Sequence, residues 1–291
     1  MSENMKKSPS KTAEEVTLIR ISESQKEEDE RICYDPLAIH FISLETLELL
    51  GNNPEINKEK DVIFRGVANS IAARVRYFDE FVEKCIIEGL EQLVILGAGY
   101  DTRAYRLEGI KENVKVFEID HPSTQRVKIE KLKEIFGSIP VHVEYVPADL
   151  ENQNFGEKLF KSGYDASKKT LFLMEGLTLY ITPETVDDIL LFIVGNSDNG
   201  SAVIFDYASL TPNIDENRDK KISENLIKFM KESGEAMKFG LEEGTAEKFL
   251  SRRGFSNIVD VTSDDYKKAY FHGKNKDREI FSLMSFVHAE I

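Results

Sequence analysis

Cysteine is scarce: Cys33 and Cys85 stand alone, with no CxxC and no histidine-rich tract beside them. That excludes a disulfide scaffold and a zinc ribbon, and it points to a reducing, cytoplasmic compartment. No apolar run approaches the roughly 18 residues that span a bilayer, so a transmembrane protein is excluded and no membrane partner is expected. The opening MSENMKKSPSKTAEE has no apolar core behind its lysines, unlike a secretory signal. Positive charge is also in short supply. Thirty-eight Lys and Arg against 52 Asp and Glu leave a net charge of −14, whereas nucleic-acid affinity needs a basic stripe. The densest basic stretches, Lys128 to Lys133 and Lys267 to Lys268, are interleaved with Glu or flanked by Asp. They read as solvated helix faces, and no nucleic-acid partner is expected. Spacing such as HxxxH is missing, so no metal is expected. None of His40, His121, His142, His272 and His288 is marked by its spacing as a catalytic base; His121, just before Pro122, reads as a helix entry.

What is present has the texture of an α/β protein. Ile63, Val67, Ile71, Val75, Phe78, Val82 and Ile86 alternate steps of four and three, one face of a helix of about seven turns, with Gly66 a candidate interruption. Upstream, Asp35 and Pro36 form a plausible cap and first turn, and GNNP at 51–54 is a break. After Gly89 come LVILGAG, VKVFEID, VHVEYVPADL, TLFLMEG and SAVIFDY, several of them separated by helical stretches. This alternation predicts a largely parallel sheet. GFSNIVDVTS and EIFSLMSFVHAEI supply two last strands. One domain over 1–291 is expected: a helical extension at 12–86, a sheet core at 88–208 and 254–291, and a helical lid at 209–250. In the lid region, Phe229, Met230, Met237 and Phe239 are candidates for lining an apolar acceptor pocket or for plain helix packing; Leu226 is a further apolar position there.

Chemistry gathers at the strand ends. Gly97-Ala98-Gly99 follows a strand directly, where glycines let backbone approach a ligand closely. A dinucleotide fingerprint would place a third glycine where Thr102 stands, which weakens a nicotinamide reading. Asp120 follows Gly99 at the distance that suits a ribose diol. Asp149 and Glu175 end the next two strands. In an open α/β sheet such ends form the ligand crevice.

Together LGAGYDTRAYRL, FEIDHPSTQRVKIEKL, VPADLEN and FLMEGLTLYIT resemble the leucine carboxyl methyltransferase-like family of S-adenosylmethionine-dependent methyltransferases, in its prokaryotic O-methyltransferase branch. The likeness extends through YDPLA, IAARVRYFDEFV and FGLEEGTAEKFLSRRGFSN, covering most of 12–291. It implies a Rossmann-like class I fold: a seven-stranded, mostly parallel sheet whose antiparallel last strand is inserted beside its neighbours, with N-terminal helices and a helical lid. S-adenosyl-L-methionine would be the cofactor and S-adenosyl-L-homocysteine the product.

By that resemblance Arg74, or else Arg76, grips the methionine carboxylate. Gly97, Ala98, Gly99 and Asp101 form the turn under the methionine part, and Asp120 holds the ribose. Asp149 and Leu150 border the adenine. Glu175 lies near the amino group and the transfer centre, and Tyr180 faces the acceptor, so Glu175, Tyr180 and Arg74 form the catalytic set. The implied activity is O-methylation of a carboxyl or hydroxyl group on a small-molecule acceptor. Two alternatives stay open: a nucleotide-dependent oxidoreductase on a similar sheet, and a non-catalytic S-adenosylmethionine-binding protein.

Overall fold

A computed structural model describes residues 11–43, 58–210 and 237–291. The GNNP break and most of the expected lid, with Leu226, Phe229 and Met230, lie outside the described residues, as does the side chain of Ile63. The chain enters through α1 (Lys11–Ser24) and a 3-10 turn (Ala38–Phe41) to the long helix α2 (Lys58–Ile87). Then come β1 (Gln92–Leu96), the short α3 (Arg103–Arg106) and α4 (Ile110–Asn113), β2 (Lys115–Asp120), α5 (Pro122–Phe136) and β3 (Val143–Pro147). After them follow α6 (Phe155–Lys161), β4 (Thr170–Met174), a 3-10 turn (Thr178–Tyr180), α7 (Pro183–Gly195) and β5 (Ala202–Ala208). The described chain closes with α8 (Ala246–Ser251), β6 (Ser256–Val261), α9 (Ser263–Tyr270) and β7 (Met284–Glu290).

The strands form one sheet in the order β3-β2-β1-β4-β5-β7-β6. β1 to β5 pair in parallel, and β7 runs antiparallel between β5 and β6. This is the inserted last strand that the family resemblance implies. Both faces of the sheet are covered, which is why the strands read as unbroken apolar runs. Leu93, Ile95, Leu171, Leu173 and Ile204 face one core, and Val94, Leu96, Phe117, Ile119, Phe172 and Phe205 face the other.

The first of these cores is closed by α2, whose Ile71, Val75, Phe78 and Val82 are buried as their spacing predicted. Gly66 does not interrupt the helix. It lies against the backbone carbonyl of Ile280, where a methyl group would make ordinary contact at 3.5 Å. Upstream, Asp35 and Pro36 start only a 3-10 turn in the described chain, with Asp35 Oδ1 accepting from the Leu37 and Ala38 amides at 3.1 Å. His121 does enter a helix: its ring nitrogen caps α5 by accepting from the Ser123 amide.

One reading needs correction. Lys267 and Lys268 are exposed, but Lys128 is not on a solvated face. It points inward from α5 and meets Glu118 of β2 at 2.8 Å, both side chains buried. The Tyr105 hydroxyl donates to the other Glu118 oxygen at 2.7 Å and contacts Tyr145 at 3.0 Å. Buried charges are found paired because a lone one is prohibitively desolvated. Strand parity puts Glu118 on the α2 side of the sheet with Val116, and there Lys128 of α5 meets it.

Candidate functional site

Strand order reverses between β1 and β4, so the crevice of the fold opens beyond their carboxyl ends. Gly97 and Gly99 take positive φ, +69° and +43°. That conformation brings both the Gly97 and Ala98 amides onto the Ile119 carbonyl, at 2.9 and 3.1 Å. A side chain on Gly97 would strike Leu177, whose Cδ1 would lie 3.0 Å from the new carbon. The turn is therefore pinned against the end of β2 and the segment after β4. At the end of β2, the Asp120 carboxylate accepts from the Gly99 amide and from the His121 amide. Among the described residues it forms no ion pair. Burial raises its pKa above the ordinary aspartate value, and the two amide donors offset this only in part.

Glu175, directly after β4, is held in the opposite way. It accepts from Arg74 Nε at 3.0 Å and from Arg103 Nη1 at 2.5 Å. Burial alone would raise its pKa, but the guanidiniums of Arg103 and Arg74 prevail and hold it below the usual glutamate value. The two arginines are themselves anchored. Arg74 Nη1 donates to Asp206 Oδ2 at 2.7 Å, while Asp206 Oδ1 takes the Gly176 amide at 2.6 Å. Arg103 Nε donates to Asp79 at 2.7 Å and Nη1 to Asp101. Burial opposes ionisation of Asp101, yet Arg103 and the other cations around it bring its pKa down to about 2.

Several residues picked from the sequence thus meet in one place: Arg74, Gly97, Ala98, Gly99, Asp101, Asp120 and Glu175. Of the two candidate arginines, Arg74 is buried in this network, whereas Arg76 is half exposed, pairs with Glu80 at 2.8 Å and lies over the Tyr270 ring. Asp149 and Leu150 sit just past β3, with Asp149 accepting from the Asn152 side chain at 3.0 Å and the Glu151 amide at 3.2 Å. Tyr180, half-buried, ends the 3-10 turn after Glu175, and this turn is tied to the later chain by the Lys238 amide on the Leu179 carbonyl at 2.8 Å. Phe239 is buried and packs on Phe249.

Sequence reasoning passed over Arg103, Asp206 and Asp79. A signal existed for two of them. Arg103 stands in the DTR of the glycine turn, and Asp206 is one more acid toward the carboxyl end of a strand. Asp206 shares strand parity with Ala202 and Ile204, so it faces α2 and meets Arg74. Asp79 has no local signature; only the packing of α2 brings it to Arg103.

The profile of the family described as leucine carboxyl methyltransferase matches residues 13–194. A Bacillus subtilis (strain 168) protein named "Putative S-adenosyl-L-methionine-dependent methyltransferase YktD" is 30% identical over 251 residues, covering 86% of this chain and 82% of that protein. A Mycolicibacterium paratuberculosis relative of the same description is 39% identical over 132 residues, 45% of this chain and 42% of its own length, so the match spans less than half of that protein. Two solved structures, both at a TM-score of 0.59, share the fold: a Thermobifida fusca protein at 14% identity (99% of this chain, 96% of that one) and a Streptomyces avermitilis protein of the DUF574 family at 13% (94% and 96%).

Proposed function

The chain belongs to the leucine carboxyl methyltransferase family and is an S-adenosylmethionine-dependent methyltransferase, and from that premise we propose that it methylates an oxygen, in a carboxyl or hydroxyl group of a small molecule, at the crevice between β1 and β4. The oxidoreductase alternative falls away with the family. The observation that supports the oxygen reading is that every histidine ring is engaged elsewhere or exposed, which suits a carboxylate acceptor better than a hydroxyl one. His121 caps α5, His142 bonds the Ala104 carbonyl, His288 packs on Phe81, and His40 and His272 are exposed. A carboxylate acceptor is already ionised and needs no base, whereas a hydroxyl acceptor does.

The residues present fit the cofactor. Its ammonium and sulfonium are cations and its carboxylate an anion, and the crevice offers Glu175, Asp101 and Asp206 against Arg74 and Arg103. Arg74 uses Nε and Nη1 on protein carboxylates, while its Nη2 lies beside Gly176. A side chain at Gly176, where φ is +61°, would come within 3.3 Å of Nη2 and 3.4 Å of Nη1. In this reading Arg74 grips the methionine carboxylate, Glu175 the ammonium, and Asp120 the ribose hydroxyls. Gly97, Ala98, Gly99 and Asp101 form the floor, Asp149 and Leu150 border the adenine, and Tyr180 faces the acceptor.

The cofactor supplies a methyl group already activated by its sulfonium. The chain's own part is to orient the two reactants and exclude water, which is worth roughly 7 to 11 kcal/mol of barrier. One domain over 1–291 completes the reading, as does a cytoplasmic location; the lid expected at 209–250 lies mostly outside the described residues, and at its described end Phe239, Leu241, Ala246 and Leu250 are buried in the core with Val94 and Phe205. No helix of the described residues is long and apolar enough to cross a membrane.

The test is transfer of labelled methyl from the cofactor into a metabolite extract by the purified protein, with the product identified. Label on a carboxyl or hydroxyl oxygen supports the proposal. Label on nitrogen or carbon overturns the oxygen assignment and leaves the methyltransferase standing.

A further inference from the structure

Thr102 occupies the position where a dinucleotide fingerprint would carry its third glycine, and its side chain is engaged there. It is fully buried and donates its hydroxyl to Asp35 Oδ2 at 2.7 Å, while accepting from Arg106 Nε at 2.9 Å. Asp35 is itself buried, and the same oxygen receives Arg20 Nη1 of α1 at 2.7 Å. Arg20 Nη2 then reaches across to the Tyr100 carbonyl, inside the glycine turn, at 2.9 Å. The helix that carries Arg20 lies directly on this turn: a side chain at Gly99 would meet the Ala13 methyl at 3.4 Å. Two points of the turn, a carbonyl and a hydroxyl, are thus held by residues 80 and 67 positions earlier in the chain.

The hold extends further. Arg106 Nη2 donates to Asp79 Oδ1 at 2.8 Å, Asp79 takes Arg103 Nε at 2.7 Å, and Arg103 reaches Glu175. A continuous line of charge-assisted bonds therefore runs from α1, past the turn, to the acid after β4.

We propose that Arg20, Asp35 and Thr102 are positioning residues for the cofactor: from the N-terminal helix they fix the glycine turn, so that cofactor affinity depends on side chains that make no contact with it. The inference rests on the proposed assignment of the turn and Asp120 to the cofactor. The physical reason is preorganisation. A turn already held in its binding geometry loses little freedom when the ligand arrives, and a loosened one must be ordered at the expense of affinity. The threonine replaces the close packing that a glycine would allow with a tether that only this N-terminal segment completes.

Thr102→Val keeps the shape and removes the tether; Thr102→Ser keeps the hydroxyl. Glu23→Gln serves as the control, because Glu23 anchors the far end of α1 through Arg278 and the Ile32 amide without touching the turn. S-adenosylhomocysteine affinity is measured by calorimetry, and amide hydrogen exchange at residues 97–102 is followed in the protein without ligand. Thr102→Val should weaken binding about tenfold, as loss of a hydrogen bond to a buried carboxylate suggests, and should speed exchange in the turn. Thr102→Ser should stay near the parent in both, and Glu23→Gln should lower the melting temperature while leaving affinity alone. Parent-like affinity in a folded Thr102→Val, equal losses for Val and Ser, or an equal loss from Glu23→Gln would each overturn the proposal. If Thr102→Val does not fold, Arg20→Lys, which keeps the charge but loses the fork, gives the same comparison. Asp120→Ala separates the two levels. If it leaves affinity intact, the cofactor assignment fails and the tether with it; if it weakens binding while the tether variants do not, the tether alone fails.

Discussion

Asp120 and Glu175 face the same crevice from the ends of β2 and β4, and their surroundings differ in kind. Asp120 receives two backbone amides and forms no ion pair among the described residues; Glu175 lies between two guanidiniums. Burial therefore raises the pKa of the first, while the arginines lower that of the second. An acid with neutral donors around it and lone pairs to spare suits a neutral diol. An acid kept ionised by fixed arginines suits a cation. The comparison teaches that acids at strand ends are not interchangeable: what stands behind each one decides which part of a ligand it takes.

The largest effect should come from breaking the Glu175 side. Arg103→Ala leaves Asp101 without its ion-pair partner and takes one of two guanidiniums from both Asp79 and Glu175, and removing one partner of a buried ion pair costs about 3 to 5 kcal/mol. A denaturant midpoint close to the parent's would mean that the network does not stabilise the fold. On the other side, Asp120→Ala removes the two bonds expected to the ribose, each worth roughly 1.5 to 3 kcal/mol. Calorimetry should register at least a tenfold (about 1.4 kcal/mol) weaker affinity for S-adenosylhomocysteine, with much less change in His121→Ala. Equal losses from the two variants would mean that the ribose sits elsewhere.

Acidification should sharpen the contrast at lower cost to the protein. The carboxylate form of Asp120 accepts from the diol; it exists above the raised pKa and disappears as pH falls through it, so affinity declines on the acid side. Glu175, with its lowered pKa, stays ionised over the same range. Asp120→Asn should flatten the decline in an acid titration; a decline unchanged in that variant would assign it to another group. The smallest effect belongs to Arg76→Ala. Its exposed pair with Glu80 is worth under about 1 kcal/mol, and cofactor affinity should not move.

Much of this was legible from residue order alone. The strands, the inserted last strand and the long helix follow from periodicity and from family resemblance, and the glycine turn and its acids stand at strand ends where a parallel sheet puts its ligands. Hidden were the side chains whose partners are distant in sequence. Lys128 looks like any lysine of a mixed-charge helix until the parity of β2 turns Glu118 toward it. Asp79 gains its role only because α2 lies across α3. Thr102 looked like a missing glycine, and its use became visible only with α1 laid over the turn. Arg74 and Arg76 are separated by burial, which a two-residue offset on a helix decides and the local sequence does not announce.

The most direct measurement is a crystal structure of the protein with S-adenosylhomocysteine. The ribose hydroxyls should lie within hydrogen-bonding distance of the Asp120 carboxylate, the methionine carboxylate at Arg74 and the ammonium at Glu175. A ligand whose ribose contacts neither oxygen of Asp120, or whose ammonium lies away from Glu175, would contradict the division of labour between the two acids.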